Sequence, residues 1–207
     1  DFATLNLDEF DKVLLCVGRA VNSENLGLEA AGIATDKGKI VVDKNLMTNI
    51  DSIYAAGDCI GGYQLAHVAA YEGKITVENI LGKNKEPDYS AVPNCIFTHP
   101  EIASVGLSEA AAGEKGYNTK IAKFNFLALG MAHVKGEPEG FVKLLVNSEN
   151  EQILGATIFG IGATELIAIL ALAIRNNLDV TALSETIFPH PSLSESIAET
   201  VHNFHAN

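Results

Sequence analysis

The chain has 207 residues, 47% of them hydrophobic and 19% charged, and carries a formal net charge of −12. That is ordinary globular composition, enough for one large domain or two smaller ones, and the acidic balance argues against a nucleic-acid partner, whose phosphates need a basic face. The longest apolar run, Leu166 to Ile174, is too short to cross a bilayer, so no membrane partner is expected. Low-complexity tracts and fixed-period repeats are missing. An acidic surface suits a basic protein partner, but it is equally what keeps many soluble proteins in solution. Cys16, Cys59 and Cys95 lie far apart in no framework, which points to reduced thiols in a cytoplasmic protein. No Cys-x-x-Cys or His/Cys metal spacing occurs, so no metal site is expected. No signal peptide is visible, and the chain opens on Asp1, so its start reads as a cut or processed end.

Phe10 to Val17 is a continuous apolar run ending at Gly18 and reads as a buried, parallel strand. Ile40-Val41-Val42, after Gly38-Lys39, predicts a second short strand, and Ser52 to Ala56 a third, closed by Gly57-Asp58. Gly61-Gly62 then opens a helical pattern from Gln64 to Leu81. Leu65, Val68, Ala69, Ile75 and Ile80 can share its buried side, and Gly82 supplies the stop.

The polar stretch Lys83 to Asp88, with Pro87, marks a domain boundary at about residue 88. Strand-like runs follow at Cys95–Thr98, Lys120–Phe126, Phe141–Val146 and Ile153–Phe159. The last two are separated by the polar turn Asn147–Asn150 and predict an antiparallel hairpin. A helix is expected over Ala163–Asn176. Its apolar positions cover most of its circumference, so it should be buried on several sides, in a core or a subunit interface. A turn around Pro189-His190-Pro191 and a last helix over Leu193–Phe204 close the chain. Residues 1–88 therefore read as a piece of a parallel α/β domain, and residues 89–207 as an α+β domain.

Two segments carry chemistry. His190-Pro191-Ser192-Leu193-Ser194-Glu195 places an imidazole five positions before a carboxylate. Histidine moves protons near neutral pH, and a carboxylate on one ring nitrogen would fix its tautomer and stabilise the imidazolium. Ser192 to Glu195 also fits an S-x-x-E capping box, and local pattern alone favours that use. The second segment is Thr48 to Asp58. Its Gly57-Asp58 at a strand end lets backbone approach a ligand and sets a carboxylate where α/β sheets meet nucleotides, although a simple strand-ending turn has the same pattern.

Taken in order, the motifs resemble the pyridine nucleotide-disulfide oxidoreductases. Gly57-Asp58, Leu65-Ala66-His67 and Glu72-Gly73 look like that family's second flavin-contacting segment. Val92-Pro93 through Phe97-Thr98-His99-Pro100-Glu101-Ile102-Ala103-Ser104-Val105-Gly106 looks like the entry to its dimerisation domain, Ala163 to Ile167 its interface helix, and His190-Pro191 with Ser194-Glu195 its catalytic end. The resemblance covers Phe10 to the end and is greatest to the lipoamide branch. It implies a partial FAD/NAD(P)-binding α/β domain followed by the α+β dimerisation domain of flavoprotein disulfide reductases. Asp58 would then contact FAD, and Leu65, Ala66 and His67 would begin a helix aimed at the flavin, where unpaired N–H groups favour an electron-rich ring. Gly18, with Arg19, would lie beside NAD. His190 would be the acid–base for the dithiol and Glu195 its orienting carboxylate, serving the other subunit of a homodimer. If the two uses of Glu195 hold together, the capping box places the carboxylate while it faces His190. The implied activity of the intact enzyme is oxidation of protein-bound dihydrolipoamide through a redox disulfide and FAD to NAD. Its partners would be the lipoyl-bearing acyltransferase of a 2-oxoacid dehydrogenase complex or a glycine cleavage carrier.

The departures are as informative. No Gly-x-Gly-x-x-Gly and no Cys-x-x-x-x-Cys occurs, so the dinucleotide fingerprints and the redox disulfide are missing. The chain is therefore expected to be the C-terminal portion of a longer enzyme, inactive by itself, binding no flavin stably and exposing apolar surface. Phe188 stands where many members of the lipoamide branch carry a second histidine. A glutathione reductase-like member remains an alternative, as does a non-catalytic dimerisation module. A mercuric reductase is disfavoured because no cysteine follows Cys95.

Overall fold

Short-range signals shape the first of two units, Asp1–Pro87, of a chain whose residues 10–206 are described by the computed structural model. Strands β1 (Thr35–Asp36) and β2 (Lys39–Ile40) form an antiparallel hairpin around Lys37-Gly38. Helix α1 (Ala66–Ile80) follows a single 3-10 turn at Asp58–Ile60. Its buried positions are Val68, Glu72, Ile75 and Asn79, spaced four, three and four apart. It ends in a Schellman arrangement, in which Gly82 N–H donates to Asn79 O at 2.9 Å and Lys83 N–H to Glu78 O at 3.0 Å.

Three expectations for this unit are corrected. Phe10 to Val17 forms no strand, and its side chains lie in solvent, with Leu14 86% exposed. A buried parallel strand needs a neighbour on each edge and cover on both faces, and no strand in the described residues pairs with this run. Ser52 to Ala56 is likewise no strand: one antiparallel bridge joins Tyr54 to Met47, and Thr48 Oγ1 donates to Ile53 O at 2.9 Å. Ile80, expected inside α1's buried side, is exposed, because the helix turns a 68/72/75/79 stripe inward.

The second unit, Asp88–Asn207, is a five-stranded sheet with helices on it. Its strands are β3 (Asn94–Ile96), β4 (Ile102–Gly106), β5 (Thr119–Asn125), β6 (Gly140–Asn147) and β7 (Ile153–Gly160), in the order β3-β4-β7-β6-β5, all neighbours antiparallel. The expected hairpin is β6–β7. A bulge at Leu145/Val146 opposes Ile153 to Val146 and Gly155 to Leu145, leaving Leu154 as the extra residue. Strand β4 was not expected: Ala103 and Val105 face the core, but the run carries only two large apolar residues.

Helix α2 (Glu109–Glu114) covers part of one sheet face, with Ala112 against Leu145 and Leu154. Ser108 caps it, its Oγ accepting from Ala111 N–H at 3.1 Å. Short helices α3 (Gly130–Val134) and α5 (Val180–Ser184) border the main core. On the other sheet face α4 (Ala163–Arg175) packs on β4 and β7, and α6 (Glu195–Ala206) on β5 and β6. The core between them includes Val142, Leu144, Ile158, Ile167, Leu170, Ile197 and Val201. One face of α4 is buried; Ala168 and Leu172 look outward, so the helix is not enclosed all round within this chain.

Candidate functional site: a histidine–glutamate pair and a glycine–aspartate turn

The chain from Phe188 to α6 has little regular structure, so its side chains must be placed by anchors. Phe188 and Leu193 pack against the main core, and Glu195 is the first residue of α6. One Glu195 oxygen, Oε2, accepts the Ser192 N–H at 2.7 Å, while the other, Oε1, meets His190 Nδ1 at 2.7 Å. This is one arm of a capping box, the reach-back from the carboxylate. Ser192 Oγ pairs instead with Ser194 Oγ at 2.8 Å.

The exposures of the two partners divide their roles. The Glu195 side chain is 24% exposed and held at two points, whereas the His190 side chain is 81% exposed. The Ser192 N–H, then the His190 hydrogen bond, hold the Glu195 carboxyl below its ordinary range against a smaller opposing effect of desolvation. An ionised Glu195 makes His190 donate through Nδ1–H, which leaves Nε2 as the basic nitrogen on the solvent side.

The second cluster lies in the first unit. Gly57 has φ 82 and ψ −156, a conformation essentially reserved for glycine, and an added Cβ would sit 3.0 Å from Ala69 Cβ of α1. The buried Glu72 carboxylate accepts the Gly57 N–H at 2.6 Å. Asp58 is exposed at the start of the 3-10 turn. Leu65 is the N-cap of α1 and supplies no side-chain acceptor, with Ala66 and His67 exposed on the first turn. The helix start is therefore not closed by its own cap residue, and its partial positive charge favours a negative or electron-rich group. Gly18 lies exposed, at φ 97, in a stretch without regular structure. Asp58 and Leu65 to His67 thus share one turn-and-helix segment, Gly18 belongs to an earlier stretch of the same unit, and His190 with Glu195 belongs to the second unit.

Residues 92–201 match the dimerisation domain of the pyridine nucleotide-disulphide oxidoreductases, and residues 6–73 match the pyridine nucleotide-disulphide oxidoreductase domain. The chain belongs to this family. It is 46% identical over 196 residues to a dihydrolipoyl dehydrogenase of Chlamydia muridarum, covering 94% of this chain and 42% of that protein. A Bacillus subtilis dihydrolipoyl dehydrogenase is 46% identical over 192 residues, covering 91% of this chain and 40% of the relative. The chain thus spans about two fifths of the length of these relatives. Among solved structures, the HOCl-induced flavoprotein disulfide reductase RclA of Escherichia coli aligns with TM-score 0.83 at 30% identity, over 90% of this chain and 43% of that one. LpdA of Mycobacterium tuberculosis aligns with TM-score 0.83 at 32% identity, over 89% and 40%. These likenesses agree with the expected combination of a mixed α/β segment and an α+β dimerisation domain.

Sequence reasoning did not single out two carboxylates that organise these sites. Glu72 stands in the Glu72-Gly73 motif, yet its role in the fold is as the buried acceptor for Gly57. Glu101 Oε2 accepts from Thr164 N–H at 2.9 Å and from Thr164 Oγ1 at 2.8 Å, fastening the first turn of α4 across 63 positions of sequence. Glu72 had a readable signal, a charged residue on the inward stripe of a helix. Glu101 had none, since its partner is brought to it by the sheet. Among the described residues no group of three or more His, Cys, Asp or Glu could hold a metal ion, and no helix is long and apolar enough to cross a membrane.

Proposed function

We propose that this chain is the flavin-contacting tail and dimerisation domain of a dihydrolipoyl dehydrogenase, and that it supplies the proton-handling pair for oxidation of protein-bound dihydrolipoamide. The observation that carries the reading is the His190–Glu195 contact at 2.7 Å, with the carboxylate pinned and the imidazole presented to solvent. Nε2 of His190 would take the proton of a dithiol sulfur, since the thiolate is the attacking species in thiol–disulfide exchange. Glu195 would stabilise the resulting imidazolium and keep the ring in register. Because no redox Cys-x-x-x-x-Cys lies in these residues, the disulfide that receives the thiolate would come from residues beyond these 207. In the homodimer it would belong to the other subunit.

FAD and NAD are the cofactors of this reading. The residues present fit one flavin contact: an exposed carboxylate at Asp58 and the start of α1 at Leu65, Ala66 and His67, which its N-cap side chain does not close. Gly18 would line the NAD side. Bound FAD would supply the two-electron relay from the reduced enzyme dithiol to NAD. Without the glycine fingerprints, this chain alone would not hold either cofactor stably. The lipoyl-bearing acyltransferase of a 2-oxoacid dehydrogenase complex, or a glycine cleavage carrier, would deliver the dithiol in the cytoplasm. The likeness to a flavoprotein disulfide reductase supports a second reading, in which the same pair protonates the thiolate released from a small disulfide substrate.

A chimera tests both. The chain replaces the matching part of the B. subtilis dihydrolipoyl dehydrogenase, and FAD content and turnover of dihydrolipoamide and of glutathione disulfide are measured. The expected result is FAD-loaded chimera that oxidises dihydrolipoamide with NAD, and a His190→Gln form that retains FAD and loses about 100-fold or more in kcat. An FAD-loaded chimera inactive on dihydrolipoamide, or one unaffected by His190→Gln, refutes the proposal. Preferential reduction of glutathione disulfide selects the second reading.

A further inference from the structure

We propose that Leu193 is a positioning residue for the His190–Glu195 pair, seated against Gly162 at the start of α4 in a socket that Glu101 holds in place. Leu193 lies between His190 and Glu195, and its side chain packs against the main core. The polar contacts of the turn run within it or to the start of α6: His190 to Glu195, Ser192 to Glu195, Ser192 to Ser194, and the Ser194 carbonyl accepting the Ile197 N–H at 3.0 Å. These bonds tie the turn to α6 but leave it without a tie to α4.

Leu193 adds a further bond to α6 through its carbonyl and the contact with α4 through its side chain. Its carbonyl accepts the Ser196 N–H at 3.1 Å and the Ser196 hydroxyl at 2.6 Å, and Ser196 is fully buried in α6. Its side chain fills the space over Gly162, which is the N-cap of α4 with φ 72 and ψ 14. A Cβ at Gly162 would lie 3.0 Å from Leu193 Cδ1, tighter than nearly all real contacts of that kind. Glycine is thus required twice over, by its left-handed backbone and by the side chain above it.

The socket is braced from β4's approach loop. Glu101 takes the Thr164 N–H and hydroxyl on its carboxylate, and its own carbonyl accepts the Gly160 N–H at 2.9 Å. One residue therefore grips both sides of the Gly160–Thr164 turn. The path runs from Glu101 to Gly162, to Leu193, to the Ser192 N–H and Glu195, and so to His190. A proton-transfer geometry tolerates little displacement, so loosening this path should lower turnover more than substrate affinity.

The kinetic consequence rests on the acid–base reading of the pair; the positioning itself does not. The test is the carboxyl titration of Glu195, followed by carbon NMR in the isotopically labelled 207-residue chain. Leu193→Ala should move that titration up toward the ordinary glutamate value, and Gly162→Ala should do the same with Leu193 intact. Leu193→Met should leave it in place. Ile197→Val, in the same helix and fully buried, should cost stability without moving it. An unmoved titration in Leu193→Ala and Gly162→Ala, or an equal movement in Ile197→Val, overturns the proposal. In the FAD-loaded chimera, Leu193→Ala should lower kcat about tenfold with KM for dihydrolipoamide within about twofold. A moved titration with undiminished turnover supports the positioning and refutes the acid–base reading, so the two failures are distinct.

Discussion

Replacing Glu72 by alanine tests whether the Gly57-Asp58 turn is held by one carboxylate. Glu72 is 4% exposed, and its Oε2 takes the N–H of buried Gly57 at 2.6 Å. A hydrogen bond to a charged acceptor contributes about 1.5–3 kcal/mol, and a buried N–H left without its acceptor costs about 1–3 kcal/mol, two views of the same loss that should not be summed. Alanine is the better helix former by several tenths of a kcal/mol, which offsets a little. The net expectation for Glu72→Ala is destabilisation of the first unit by about 2 kcal/mol. Glu72→Gln retains an acceptor without the charge and should recover about half of that. The assay is hydrogen exchange at the Gly57 amide, with urea denaturation followed by probes in residues 10–87. Protection of Gly57 should fall in step with the global loss. A change under about 0.5 kcal/mol in Glu72→Ala, or undiminished Gly57 protection, would refute the claim that this carboxylate organises the turn.

Asn79 donates to Asn45 O at 2.7 Å and Lys85 O at 2.9 Å and accepts from Lys85 N–H at 2.6 Å. Asn79→Ala should cost about 2 kcal/mol and speed proteolytic cleavage between residues 83 and 88. Leu170 is fully buried in the core under α4; Leu170→Ala should destabilise the second unit by about 3–4 kcal/mol in urea denaturation. The Glu195 carboxyl is lowered in the folded state, so its stabilising effect on the turn is present above the unfolded-state value and is lost as pH falls through the folded value. Protection of the Ser192 amide should fall over that acid window in the parent chain and show no such step in Glu195→Gln.

Legibility followed how much of each signal was local. The β6–β7 hairpin was readable because two strand-like apolar runs flank a polar turn, and the α4 span because its apolar residues run unbroken by turn signals. Helix α1 was expected within two residues of its observed ends, with Gly82 as the stop. The Phe10–Val17 strand was overread for a physical reason: an apolar run states what could be buried, while a strand also needs partners, and none pairs with it among the described residues. Strand β4 was underread because Ile102-Ala103-Ser104-Val105-Gly106 is short and buries only Ala103 and Val105 on its inward face. The candidate residues His190, Glu195, Asp58 and the α1 start follow from residue type and order, and the structure brings His190 to Glu195. Glu101 and Gly162 do not follow in that way, because each acts on a neighbour that only the folded sheet and helices bring near. Gly18 was singled out from its pairing with Arg19, and no regular element organises it here.

The two uses of the His190–Glu195 hexapeptide are joined by the two oxygens of one carboxylate. Oε2 accepts the Ser192 N–H, as a capping glutamate does, and Oε1 is thereby aimed at His190 Nδ1. The cap is therefore the means by which the pair is built, and protonating Glu195 would weaken both contacts together. An aspartate at this position has one methylene less and cannot span both partners from the first residue of α6. Glu195→Asp should retain charge yet lose either the Ser192 contact or the His190 contact. A purely electrostatic partner would tolerate that change, whereas a positioned one would not. Turnover of the Glu195→Asp chimera on dihydrolipoamide should fall about as far as that of Glu195→Gln. If aspartate retains nearly full kcat while glutamine does not, charge near the imidazole is sufficient and the cap is incidental to function.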